Sequence, residues 1–200
     1  MDEPRLFAAD SFTVTRPPGV LGRWVLRLAR RPDVDPRLWV RDDRGEVLGE
    51  VVAVTKRLRK ALDGYTRHDV RGASQEKLLA LRQLPRTMFV QDGAGAALGC
   101  VHHDRSVGAT FHSGAGSMAG RGPVIGHLSP LRFGRYELVF GAIEVSDPAG
   151  AVVATVTNTD GQHNVVQMSA DIDGQLRVLT VAFACSLVHP VWVHPPIPSR

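Results

Sequence analysis

One pattern recurs along the chain, and few folds can accommodate it. Leu38-Trp39-Val40-Arg41-Asp42-Asp43-Arg44-Gly45-Glu46-Val47-Leu48-Gly49-Glu50-Val51 aligns with Thr87-Met88-Phe89-Val90-Gln91-Asp92-Gly93-Ala94-Gly95-Ala96-Ala97-Leu98-Gly99-Cys100-Val101. Trp39 falls on Phe89, Asp42 on Asp92, Gly45 on Gly95, and Leu48-Gly49 on Leu98-Gly99. A looser third copy runs from Ile143 to Val156, with Asp147 and Gly150 at the same offsets. Each copy reads as a β-hairpin. An apolar or β-branched stretch leads into Asp-x-x-Gly, and a second apolar stretch leads out. The Asp side chain accepts hydrogen bonds from the backbone just beyond it, and Gly supplies the positive φ of the turn. Asp42, Asp92 and Asp147 are therefore read as turn formers, not as catalytic acids.

Further strands are expected at Phe12–Thr15, Trp24–Leu28, Tyr136–Phe140 and Asn164–Met168. Twenty Gly and thirteen Pro supply the turns of a β-rich chain. Two stretches break the pattern. Between Lys56 and Leu84, Ser74–Leu81 reads as a short helix with Ser74 as N-cap. Gly108–Gly126, rich in Gly and Ser, reads as a long mobile loop.

The second constraint lies near the C-terminus. Gln175–His189 is apolar on nearly every face, with Asp173 placed to cap a helix and Pro190 to stop it. Val and Phe also suit a strand, but the length and the small residues Ala182 and Ala184 favour a helix. An all-apolar helix has to be buried. The apolar run Val178–Val188 falls short of the roughly 20 residues that a membrane span needs. Its natural place is inside a ring of strands.

Asp171-Ile172-Asp173-Gly174 followed by the apolar run through Ala184-Cys185-Ser186-Leu187 resembles the end of the phospholipid scramblase family. The repeated hairpins resemble the same family and its LURP-one-related and tubby C-terminal relatives. Together these resemblances cover about residues 7–193. They imply a single domain, 1–200: a closed antiparallel barrel of about twelve strands over about 7–170, a central helix over about 174–189, and a tail over 190–200. They associate such barrels with calcium-dependent lipid movement in scramblases and with phosphoinositide binding in tubby domains; many bacterial relatives have no assigned role. The chain departs from the scramblase pattern in lacking a Pro-rich N-terminal region and a Cys cluster for lipid anchors. His189 stands where an acidic residue is expected.

Chemistry-bearing residues are few. Lys56, Arg57, Arg59 and Lys60 form the densest basic cluster, suited to phosphate headgroups or to plain solvation. A net charge of +4 and a pI near 9.6 allow attraction to anionic surfaces. The Arg and Ala bias also fits a GC-rich genome. Nothing resembles a nucleic-acid motif, so no nucleic-acid partner is expected. Asp171 and Asp173 match the acidic positions that scramblases offer to calcium, but two carboxylates fall short of its six to eight oxygen ligands. A turn and helix cap is the favoured reading of both.

Cys100 and His102 share one face of a strand and His103 takes the other, which raises a Cys–His nucleophile as an alternative. Neither a P-loop nor a nucleophile elbow is present. Two Cys make neither a disulfide framework nor a zinc site. The start, Met1-Asp2-Glu3, lacks the basic, apolar form of a signal peptide. The expected protein is cytoplasmic, at most peripheral to a membrane. It is a binding module for an anionic lipid surface, a small ligand or a protein partner, with no resident cofactor expected and calcium as the one candidate. The alternatives are a calcium-dependent scramblase and a Cys/His-dependent enzyme.

Overall fold

The computed structural model describes residues 4–15, 37–54, 66–84, 86–104, 108–114, 122–129, 141–158 and 163–187. The strands expected at Trp24–Leu28 and Tyr136–Phe140, the basic cluster Lys56–Lys60 and the tail 190–200 lie outside these residues.

Each Asp-x-x-Gly segment is a hairpin turn. In each, the Asp amide donates to the carbonyl four residues on, and the Gly amide donates back to the Asp carbonyl. The pairs are Asp42 with Glu46, Asp92 with Ala96, and Asp147 with Ala151, each N···O being 2.9–3.0 Å. The Asp carboxylate closes the turn by accepting from the amides of Glu46, Ala96 and Ala151 at 2.8–2.9 Å. Gly45, Gly95 and Gly150 have φ of +82°, +96° and +90°. Each hairpin carries a register shift beside its turn, the bulge expected of three-residue loops closed by a left-handed residue.

Twelve antiparallel strands follow in chain order. They are β1 (Ser11–Thr15), β2 (Leu38–Arg41), β3 (Val47–Ala53), β4 (Thr66–Gly72), β5 (Lys77–Gln83) and β6 (Thr87–Asp92). Then come β7 (Ala97–Asp104), β8 (Gly108–Ser113), β9 (Val124–Leu128), β10 (Gly141–Ser146), β11 (Val152–Asn158) and β12 (His163–Met168). Each pairs with its neighbours in sequence, and β1 pairs with β12, so the barrel closes without an edge. A short helix α1 (Arg5–Ala8) precedes β1, and α2 (Gly174–Leu187) follows β12.

The helix expected at Ser74–Leu81 is instead the turn and start of β5. Gly72 donates to Glu76 O at 2.9 Å and Gln75 to Gly72 O at 3.0 Å, with Gln75 at φ +68°. This is a further copy of the same turn, with Gly72 in the Asp place and Gln75 in the Gly place. Pairing with β4 and β6 overrides the local helical signal. The loop expected over Gly108–Gly126 contains β8, and β9 begins at Val124; the cross-strand contacts of Phe111 hold this Gly-rich stretch in the sheet.

The lumen is filled by α2. Leu176, and every residue from Leu179 to Leu187, is buried, although the helix is capped at an exposed end. Asp173 Oδ1 accepts from the amides of Gln175 and Leu176 at 2.9 and 3.1 Å. Phe183 meets Phe111 of β8 edge to face, with ring centroids 6.2 Å apart. Where the helix passes closest, the barrel wall has no side chain. A Cβ on Gly99 would lie 2.3 Å from His112 O and 3.0 Å from Leu179, and one on Gly126 would lie 2.7 Å from Leu176.

At the lower end, Leu6 and Phe7 of α1 close the core. Arg177 ties them down. Its guanidinium donates to Phe7 O, Ala9 O and Ser169 O and pairs with Asp10 at 2.9 Å. At the other end, Asn164 of β12 donates to Ala184 O at 3.3 Å.

Replacing Phe183 tests this core. Phe183→Ala should cost about 3–5 kcal/mol in chemical denaturation. Phe183→Asp should prevent cooperative folding, since it buries an unpaired charge. A soluble Phe183→Asp variant with a sharp melting transition would show that the helix is not enclosed.

Candidate functional site

Inward and outward side chains alternate around the barrel, so the outward faces hold whatever chemistry α2 leaves available. On β7, Val101 points into the core, while Cys100 and His102 point outward and His103 inward. The expected sharing of a face by Cys100 and His102 is thus present.

The side chain directly opposite Cys100 is His112 on β8, with Phe89 of β6 on its other flank. Between them Cys100 is 1% exposed. Both ring nitrogens of His112 are engaged, Nδ1 with Gly122 O at 2.9 Å and Nε2 with the Thr110 hydroxyl at 2.8 Å. A carbonyl only accepts, so Nδ1 carries the proton. In the neutral ring, Nε2 then accepts from Thr110. That lone pair is occupied and is not held toward a thiol. His102 Nδ1 likewise contacts Thr87 Oγ1 at 2.9 Å. Thr87, His102, Thr110 and the exposed His127 form one outward row across β6–β9. The other thiol, Cys185, lies inside the barrel, where burial pushes its pKa up to about 12.

The outward faces of β3 and β4 bury two carboxylates that no motif marks. Glu50, 1% exposed, stands opposite Arg71 and is reached by Arg37 at 3.4 Å. Asp69 lies 3.7 Å from Arg67. These groups are structural ion pairs on present geometry. Among the described residues, no group of three or more His, Cys, Asp or Glu side chains is placed to hold a metal ion.

Asp171 and Asp173 sit together in the exposed turn before α2. Asp173 spends one oxygen on two helix amides, which is the cap expected of it; Asp171 donates its own amide to Ser169 Oγ at 3.3 Å. Lys56, Arg57, Arg59 and Lys60 lie outside the described residues, in the connection from β3 to β4. Between α1 and the β4–β5 turn there is a cavity of about 100 Å³, bordered by Leu6, Leu48, Ser74 and Glu76. It is well below the roughly 300 Å³ at which ligand pockets begin. Among the described residues no helix is long and apolar enough to cross a membrane.

No protein-family model matches the chain, and no curated protein does. An Arabidopsis thaliana protein solved by X-ray crystallography superposes on 94% of this chain and 97% of its own, with a TM-score of 0.55 and 13% identity. At that identity the likeness is one of fold.

The burial of both thiols has a direct consequence. Under native conditions a maleimide should label neither Cys100 nor Cys185, and labelling should appear only with denaturant. Rapid, selective modification of Cys100 at neutral pH would instead indicate a reactive nucleophile.

Proposed function

We propose that this protein is a non-catalytic, scramblase-like barrel that binds an anionic lipid surface. One observation carries the reading: α2 occupies the lumen, the space in which many barrels hold a small ligand. Recognition then falls to the outside of the barrel and its connections. The resemblance of the hairpins and the Asp-Ile-Asp-Gly helix start to scramblases and their relatives supports the same class, and so does the net charge of +4.

The phosphate-binding role belongs to Lys56, Arg57, Arg59 and Lys60. Each basic residue near an anionic bilayer contributes about 1 kcal/mol, so four contribute roughly 4 kcal/mol, about a thousandfold in affinity. The attraction is screened by salt over a Debye length of about 8 Å under physiological conditions. It operates without a membrane span.

Co-sedimentation with vesicles of phosphatidylcholine, with and without phosphatidylserine, tests the proposal. Binding should require the anionic lipid, weaken as salt rises, and be lost when the four basic residues are changed to Glu. Binding that persists in that variant would clear the cluster of the role. Absence of binding at low salt would contradict the lipid reading. A requirement for calcium, abolished by Asp171→Asn with Asp173 intact, would favour the calcium-dependent alternative.

A further inference from the structure

Near the start of α2 a cation is held mostly by neutral acceptors. The side chain of Arg177 is only 11% exposed. Its guanidinium donates to Phe7 O at 3.3 Å, Ala9 O at 3.2 Å, Ser169 O at 3.0 Å and Asp10 Oδ1 at 2.9 Å. Three of these acceptors are backbone carbonyls, and the one carboxylate, Asp10, is 60% exposed. A buried cation is costly unless it is well paired. A planar anionic head meets a guanidinium with two charge-assisted hydrogen bonds, which are stronger than those to amide carbonyls.

The segment that supplies those acceptors is lightly built. α1 is a single turn, far too short to hold itself as a helix. The burial of Leu6 and Phe7, the exposed Arg5–Glu46 pair and Arg177 keep it in place. The backbone is next fixed at Asp10, whose carbonyl accepts from the Met168 amide at 2.7 Å. On its other side α1 is not closely packed. The cavity of about 100 Å³ separates it from Val47, Leu48 and Leu78, with Ser74 and Glu76 on the polar border. Residues 4–10 therefore touch an apolar hollow and a guanidinium at once. They present to the barrel two apolar side chains, and to Arg177 a set of oxygens that includes a carboxylate. That is the chemistry of an amphipathic anion.

We propose that α1 is a resident stand-in for a ligand, and that the site it covers takes a medium-chain carboxylate of the fatty-acid class. The segment swings out about Ala9 and Asp10. The tail then fills the hollow together with the space left by Leu6 and Phe7, and the carboxylate pairs with Arg177. A tail of roughly ten carbons refills the volume that the two side chains vacate, as close packing requires. With α1 in place the hollow is below ligand size; its displacement is what brings the site into range. The apparent affinity is the intrinsic one reduced by the fraction of molecules with the segment open. An aliphatic ammonium is excluded by the charge of Arg177. The site lies at the rim of the barrel, outside the lumen filled by α2, and does not depend on the lipid-surface reading.

Isothermal titration calorimetry with decanoate tests the site, with decyltrimethylammonium as the control of opposite charge. Decanoate should bind saturably, one per chain, and the cation should not. Asp10→Asn removes an exposed ion pair that holds the segment shut, so it should tighten decanoate binding by roughly two- to fivefold. Leu78→Trp fills the hollow and should weaken binding severalfold. Because Cys100 and Cys185 are buried, a thiol can report position. In Leu6→Cys, decanoate should speed maleimide labelling severalfold while Cys185 stays unmodified. The proposal is overturned if neither the parent nor Asp10→Asn binds decanoate saturably, or if decyltrimethylammonium binds as well. It is also overturned if decanoate binds without exposing the thiol of Leu6→Cys and with the same affinity in Leu78→Trp.

Discussion

A helix with no polar face has to be enclosed, and the architecture follows from how this chain encloses one. α2 offers apolar or small side chains in every direction from Leu179 to Leu187. A single sheet covers only one side of such a helix. A closed ring covers all of them, and twelve strands leave a lumen wide enough for a helix about 10 Å across. The wall yields where it must: Gly99 and Gly126 carry no side chain where Leu179 and Leu176 press outward. Filling the lumen is also why the proposed lipid binding is assigned to the exterior.

The turns give one end of the barrel its character. Three hairpins use a carboxylate to hold the amide four residues on, so Asp42, Asp92 and Asp147 each serve the local geometry of a turn. Asp173 does the same for the first turn of α2. Much of the acidity at this end therefore has a folding explanation.

What was legible in the sequence follows the same physics. The Asp-x-x-Gly copies announced hairpins because a side chain and a glycine both mark the turn. Gly72 and Gln75 build the same turn without either mark, and Leu78, Leu79 and Leu81 beyond it imitate a helix. β8 and β9 were hidden because glycines such as Gly108 and Gly126 carry no strand signal of their own. Their place depends on partners far along the chain. The surroundings of Cys100 were out of reach for the same reason: His112 becomes its neighbour only once β8 pairs with β7. The role of Asp173 as a cap was readable locally, because it acts on residues two and three positions away.

The enclosed helix is most directly tested by native-state hydrogen exchange. If α2 is the core of a closed barrel, the amides of Leu179–Leu187 should be among the slowest to exchange. They should open only with global unfolding, at the free energy measured by denaturant. Exchange of these amides at rates typical of exposed, fraying helices, while the strands stay protected, would contradict the account. It would show that the barrel stands without its central helix.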